Sequence, residues 1–273
     1  MEELHLASLQ IIEKTGVTVE CSEALDILAE AGADTSDPRR VKIPSHLVEQ
    51  ALRDAPKTIT LYSREGAPAM VLNGTTTHFG AQAAMDVYLD PLTGRLRKCY
   101  PQDVADMVRV VDALPGLEWQ YCNSNLSTVP GSIVDLLAFM QMVLNTSKPI
   151  ACCVIDRASL AVLLETCAVI SGGEKKLRDR PFFLNTSEPV TPLVQGKVSL
   201  EKSLLCAERG VPNAVYSMPM AGATTPATFP AVLAICNAEF LSQLVIIQLK
   251  KPGAPVIYGG QPSIMDMKTT FYP

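Results

Sequence analysis

From Val211 to Leu249 the chain reads VPNAVYSMPMAGATTPATFPAVLAICNAEFLSQLVIIQL, and this run holds a strand, a loop and a helix in succession. Asn213 to Ser217 is short and apolar, with β-favouring Val215 and Tyr216, as expected of a strand covered on both faces. Met218 to Pro226 is built from Pro, Gly, Ala and Thr and must turn the chain. From Phe229 apolar residues crowd together as far as Leu249, the pattern of a long packed helix. If such β-loop-α units recur in register, their loops gather at one end of the sheet, where chemistry belongs.

Working outward, strand-like runs fall at Glu118 to Cys122, Ile150 to Ile155, Pro181 to Leu184 and Pro255 to Tyr258, with another near His78. Helical runs at Ile133 to Leu144, Leu160 to Ile170 and Leu200 to Glu208 separate them. The strands recur every 30 to 40 residues or so, roughly the length of a unit with a crossover helix. No G-x-G-x-x-G opens a helix and no G-x-x-x-x-G-K-[ST] occurs, which disfavours a nucleotide-binding open sheet. The spacing predicts an α/β fold of the (β/α)8 TIM-barrel type over residues 67–273. Six units do not close a barrel of eight, so either the sheet is open or the sequence is a fragment whose barrel is incomplete at the C-terminus.

Residues 1–66 lack that rhythm. Helices are expected at Glu2 to Lys14, stopping at Gly16, at Ser22 to Ala31, stopping at Gly32, and at Ser45 to Arg53. Short strands are expected at Val41 to Ile43 and Ile59 to Ser63, so this part reads as a small α+β accessory cap. Asn73-Gly74 signals a turn between two β runs, and Asp90-Pro91-Leu92-Thr93-Gly94 an exposed one. Gln102 to Leu114 reads as a helix.

A net charge of −5 and a pI near 5.3 argue against nucleic acid as a partner. No basic leader with an apolar core opens the chain, and a cytoplasmic protein is expected. Val232 to Leu249 is interrupted by Asn237, Glu239, Gln243 and Gln248, which suits a buried helix better than a membrane span. The eight cysteines show no C-x-x-C pair and sit mostly in apolar runs, as reduced, buried thiols would.

The turns after the strands are the candidate site: Asn123-Ser124-Asn125, Asn185-Thr186-Ser187-Glu188, Met218 to Thr225, and Gly259-Gly260-Gln261-Pro262. None contains Lys or Arg. Neutral donors, the strand-end rings of Tyr121 and Tyr216 and the single acid Glu188 suit a small cation. Asp86 would add a second negative charge, with a hairpin role the competing reading. For Asn123 and Asn125 turn duty comes ahead of ligand binding, and Glu239 reads as a paired structural residue or one at an interface. Met218 and Met220 are packing filler or part of an adaptable surface. The three histidines lack metal spacing, no G-x-S-x-G occurs, and Cys122 and Cys152 have no evident base. No metal site and no catalytic residue is therefore assigned.

LHLASLQIIEKTGVTV from Leu4, ALDILAEAGA from Ala24, VKIPSHLVEQAL from Val41 and APKTITLYSREG from Ala55 resemble the N-terminal region of the trimethylamine methyltransferase (MttB-like) family. SMPMAGATTPAT from Ser217, CNAEFLSQLVIIQL from Cys236 and PGAPVIYGGQPSIMDMKT from Pro252 are similar to its barrel segments. The resemblance implies a (β/α)8 barrel that takes a methyl group from a tertiary or quaternary amine and passes it to the cobalt of a separate corrinoid protein, with no cofactor bound directly. Glu188 and Asp86 would complement the amine's charge, Tyr121, Tyr216 and Tyr258 would offer π faces, and the Met218 to Thr225 loop would line the mouth. No pyrrolysine is written here, so a non-pyrrolysine member is expected; many such relatives use quaternary amines such as glycine betaine, and the amine stays open. Family members are longer, so this polypeptide alone is expected to be a truncated and inactive fragment. A barrel methyltransferase using a pterin carrier, or a non-catalytic remnant binding small amines or a corrinoid protein, stays an alternative. Assembly into a homo-oligomer is left open.

Overall fold

The computed structural model describes residues 2–83, 85–122, 126 and 128–271. Spatially the chain divides into one unit of residues 1–56 with 187–273 and another of residues 57–186. Each has its own parallel strands.

In the first unit the chain opens with α1 (Glu2–Gln10), whose last turn runs on as π-helix through Ile11–Thr15. Gly16 ends it at φ 80°, a conformation that favours glycine; a Cβ there would also lie 2.8 Å from the Val41 carbonyl oxygen. After β1 (Thr18–Val19) come α2 (Ser22–Glu30) and α3 (Ser45–Asp54). The Val41 to Ile43 run forms only isolated bridges, Val17 with Val41 and Asp34 with Lys42, so the strand expected there shrinks to a local pairing.

In the second unit β2 (Ile59–Tyr62) and β3 (Pro68–Leu72) form an antiparallel pair. Asn73-Gly74 does turn the chain, with Asn73 Oδ1 accepting from the Thr75 amide at 3.0 Å and Gly74 at φ 80°. It joins no hairpin, because the next strand, β4 (Gly80–Ala83), pairs in parallel elsewhere. β5 (Val87–Leu89) and β6 (Leu96–Lys98) make the hairpin around the Asp90 to Gly94 turn. Then α4 (Pro101–Ala113), β7 (Trp119–Cys122), α5 (Val134–Asn145), β8 (Ile150–Cys152), α6 (Arg157–Ser171), α7 (Glu174–Asp179) and β9 (Phe183–Ser187) follow. β4 pairs with β7, β7 with β8 and β8 with β9, all in parallel. β9 runs further than the sequence pattern suggests: Asn185, Thr186 and Ser187, expected in a loop, are buried strand residues.

Returning to the first unit, β10 (Val194–Gln195) pairs in parallel with β1 and is followed by α8 (Lys197–Arg209) and β11 (Asn213–Ser217). β12 (Met220–Ala221), α9 (Phe229–Lys250), β13 (Val256–Gly260) and β14 (Ser263–Ile264) complete it. α9 is apolar on every side, so it must be covered all round. α1, α2, α3 and α8 pack against it, and Ile12, Leu28, Val48 and Ile43 share one core with Leu244, Val245, Ile246 and Ile247. Each such side chain contributes about 1.5–3 kcal/mol when fully buried. By length and hydropathy alone α9 could cross a membrane, but 78% of its most apolar window is buried inside the protein.

The result is a mixed α/β architecture: β4, β7, β8 and β9 run in parallel in the second unit, β11 and β13 in the first, and the first unit adds the short parallel pairs β1–β10 and β12–β14. It is compatible with part of a barrel.

Candidate functional site

In the first unit β11 and β13 run side by side with Tyr216 opposite Gly259 and Ser217 opposite Gly260, so both strands end together. The chains continue side by side past those ends. The Gln261 amide donates to the Ser217 carbonyl at 2.8 Å and the Ser263 amide to the Pro219 carbonyl at 2.9 Å, before β12 and β14 pair in parallel. The segments after the two strands therefore form a laddered rim. The Tyr216 hydroxyl donates to Gln261 Oε1 across it at 3.1 Å. The two glycines are required by what covers them: a Cβ at Gly259 would meet the Tyr216 ring at 2.8 Å, and one at Gly260 would meet Cys236 Sγ at 3.0 Å.

Beneath the rim lies Glu239, a carboxyl fully buried within α9. Its Oε2 accepts from the hydroxyl of Ser217, in a very short contact, and from the hydroxyl of Thr191 at 2.9 Å. Its Oε1 accepts from the Leu193 amide at 2.8 Å. Leu193 holds a positive φ of 60°, unusual for a leucine, and this hydrogen bond helps to fix it there. These three donors are all neutral. Burial raises the carboxyl's pKa, opposed by the hydrogen bonds from Ser217, Leu193 and Thr191. Beside it, burial also pushes up the Cys236 thiol, which touches the Ser217 and Tyr258 hydroxyls. Tyr258 is pushed up to about 12 by burial and by Cys236. Its ring meets Phe240 edge-on, with centroids 4.4 Å apart, yet the residue is 53% exposed. Opposite Val215 in the register, Tyr258 lies on the face of the ladder turned toward α9, the face away from Tyr216.

A second polar layer lies deeper in the same unit. Ser187, the last residue of β9, donates to Asn213 Oδ1 at 2.8 Å, and Gln243 Nε2 donates to Ser203 Oγ at 2.7 Å. Asn213 Nδ2 reaches the same Ser203 Oγ at 3.2 Å. All four residues are buried, so this hydrogen bonding is what makes polar side chains tolerable there.

In the second unit Tyr121, on β7, is half-buried, its hydroxyl 3.4 Å from Thr186 Oγ1. Cys122 and Cys152 are opposite one another on β7 and β8. Burial pushes the Cys152 thiol well up, with Cys122 beside it adding to the effect. Asp86 is exposed on the approach to the β5–β6 hairpin, and its carbonyl accepts from the Cys99 amide at 3.2 Å.

Of the residues singled out from sequence, Glu188, Tyr216, Met218 and Tyr258 belong to the first unit and Tyr121 and Asp86 to the second, while Asn123 lies outside the described residues. Tyr216 and exposed Met218 sit at the end of β11, and half-buried Glu188 directly follows β9. The Thr191 to Leu193 segment that continues from Glu188 and the strand end at Ser217 meet on Glu239. By sequence Glu239 reads as a structural or interface acid; the structure makes it the junction of those two segments. The sequence does carry a signal for it, since an isolated acid in the most apolar helix must be met by donors. Cys236 and Phe240 carry no comparable signal, whereas Gln261 falls in one of the turns singled out from sequence.

The trimethylamine methyltransferase (MTTB) family profile matches residues 1–270. A trimethylamine methyltransferase MttB of Desulfitobacterium hafniense (strain DSM 10664 / DCB-2) is 34% identical over 271 residues, 99% of this chain and 55% of that protein. A glycine betaine methyltransferase of Desulfitobacterium hafniense (strain Y51) is 27% identical, over 98% of this chain and 56% of that protein. The MttB of Methanosarcina thermophila is also 27% identical, over 98% of this chain and 57% of that protein. The chain spans about half the length of the curated relatives it matches.

Proposed function

Since the chain belongs to the trimethylamine methyltransferase (MTTB) family, we propose that it serves a methyltransferase that removes a methyl group from a tertiary or quaternary amine of the trimethylamine or betaine type. The carrying observation is a match along nearly the whole chain to relatives named for trimethylamine and for glycine betaine. We take the six parallel-paired strands as part of a TIM-type barrel, residues 67–273 as its portion, and residues 1–66 as an accessory region.

In the reaction proposed, the C–N bond of the substrate breaks, its electron pair stays with nitrogen, and the methyl carbon bonds to an incoming nucleophile. A quaternary ammonium, or a tertiary amine carrying its proton as the ammonium, then departs as a neutral amine. The protein has mainly to hold a cation in line, and positioning of that kind alone speeds the displacement. The rim of the first unit is suited to holding one. Tyr216 supplies a ring face, Met218 an adaptable apolar contact, and Glu188 negative charge; Tyr258 is proposed as a second ring, from the α9-facing side of the β11–β13 ladder. Tyr121, Asn123 and Asp86 are proposed from the sequence alone. The acceptor proposed is the cobalt of a separate corrinoid protein, which supplies the nucleophile. The cytoplasm is the proposed location, supported by seven of the eight cysteines being buried as small apolar groups.

The test is to incubate the protein with cob(I)alamin and, in turn, trimethylamine, dimethylamine, glycine betaine and choline, following methylcobalamin by its absorption. Methylcobalamin formed with one amine supports the proposal. Saturable amine binding without turnover would instead favour the non-catalytic reading.

A further inference from the structure

We propose that a cavity of about 560 Å³ in the second unit binds a small phosphate-bearing anion. It is separate from the rim described above and does not rest on the amine reading. Its walls are the Ser63 to Gly66 turn between β2 and β3, the end of α6 at Ile170 and Ser171, and α7 with Arg180 after it; Phe182, just before β9, is also in the lining. The volume falls within the roughly 300–1,000 Å³ usual for small-ligand sites.

The charge distribution carries the inference. Arg64, Lys176 and Arg180 all line the cavity, and among the described residues no salt bridge joins any of them to a carboxylate. Two acids, Glu65 and Asp179, also line it, leaving three positive charges against two negative. Asp179 is taken by Lys175 at 2.6 Å, with Arg178 at 3.9 Å, and Glu65 is exposed on the turn. An anion entering the space would be attracted by all three cations in its lining.

The scaffold holds the two arginines in place. The Tyr62 amide donates to the Pro181 carbonyl and the Arg64 amide to the Ser147 carbonyl, both at 2.8 Å. The Arg64 guanidinium donates to the Val143 carbonyl, and Arg180 Nη1 reaches the Gly66 carbonyl at 3.5 Å. Each uses one nitrogen in this way, leaving further N–H groups for a ligand. Guanidinium forks match the spacing of phosphate oxygens. Ser63 Oγ accepts from the Ala67 amide at 3.2 Å, so its own proton is available to an acceptor.

The experiment is isothermal titration of the whole protein with pyrophosphate and, separately, adenosine monophosphate, at constant ionic strength. Saturable binding of either is expected, weakened roughly tenfold or more in K176Q/R180Q, as loss of two charge-assisted contacts requires. Stronger binding of the nucleotide would identify an organic phosphate ester, and stronger binding of pyrophosphate the free anion; both support the site. Absence of saturable binding, or equal binding by the folded variant, overturns it. If K176Q/R180Q does not fold, K176E, at an exposed position, gives the same comparison.

Discussion

The hydroxyl of Ser217, the last residue of β11, donates to the carboxyl of Glu239, buried in α9. The same carboxyl accepts from Thr191 and from the Leu193 amide, so one side chain ties a strand end to the loop that follows β9. Glu239→Ala leaves two hydroxyls and an amide without their acceptor. A cost of about 1–3 kcal/mol for each group left unsatisfied makes this a severe substitution in urea unfolding. Glu239→Gln keeps one oxygen to accept and is expected to lose about half as much. Equal midpoints for Glu239→Ala and the wild type would show that the junction holds nothing together.

Glu239 also sets a pH dependence of definite sign. Its pKa is raised above the ordinary 4.5 chiefly by burial, so between those two values the folded state binds more protons than the unfolded one. Its contribution is fully present below the unfolded pKa and is lost as pH rises through the folded one. Urea midpoints measured upward from pH 4.5 are expected to show this decline in the wild type, and Glu239→Gln is expected to lack it. The same slope in both proteins would assign the decline to other groups.

Gly259→Ala tests the rim. The added carbon would stand 2.8 Å from the Tyr216 ring and 3.1 Å from the Val215 carbonyl oxygen. The ring can turn away, but the backbone oxygen cannot. Overpacking of this kind costs about 1–3 kcal/mol, with the thermal midpoint falling about 2–4 °C per kcal/mol. If the rim binds the amine, affinity should fall more than stability does. An unchanged midpoint and unchanged near-ultraviolet dichroism would show that the two strands have room to spare.

The legibility of the fold follows from which residues carry a one-to-one physical meaning. Gly16 and Gly32 mark helix ends because both adopt positive φ, and α9 is recognisable because a helix apolar all round must be buried. Polar strand residues are harder. Asn185, Thr186 and Ser187 resemble a loop by composition, and what keeps a residue such as Ser187 buried is a hydrogen bond to Asn213, twenty-six positions away. Gly259 and Gly260 resemble a turn, yet they end β13 because they pair with Tyr216 and Ser217 of β11, more than forty positions back. The two-residue strands β12 and β14 exist only as partners of each other, so neither half signals itself. At the candidate site the exposed residues could be chosen by type, whereas Glu239 acquires its meaning from Ser217, Thr191 and Leu193.

The β5–β6 hairpin depends on one arginine. Arg97 donates to both carboxylate oxygens of Asp103, at 2.6 and 2.7 Å, and to Asp90 at 3.0 Å, while lying 4.6 Å from the centre of the Tyr88 ring. Asp103 also accepts from the Tyr100 amide at 2.8 Å, at the start of α4. Asp103→Asn removes the charge and is expected to cost about 1.5–3 kcal/mol, the range for hydrogen bonds to charged groups. Arg97 holds the Asp103 pKa below its usual 3.8, so this stabilisation is present above that pH and is lost as pH falls through the folded value. Hydrogen exchange is expected to quicken selectively at Val87–Leu89 and Leu96–Lys98 in the variant; uniform quickening would mean that the hairpin is held in another way.

Thiol chemistry separates the cysteines by their surroundings. Cys153 is half-buried, and the other seven are buried. Burial pushes Cys206 up to about 12 and raises Cys167 and Cys152 as well. The thiolate is the reacting species, so raised pKa and lack of access both slow these groups. With a chromogenic disulfide reagent at pH 8, the native protein is expected to release one equivalent quickly, from Cys153, and the remainder only on unfolding in guanidinium, to a total of eight. Cys153→Ser should abolish the quick phase. If that phase persists in the variant, a region holding a buried cysteine opens to solvent in the native state, and the cysteine labelled first would show where.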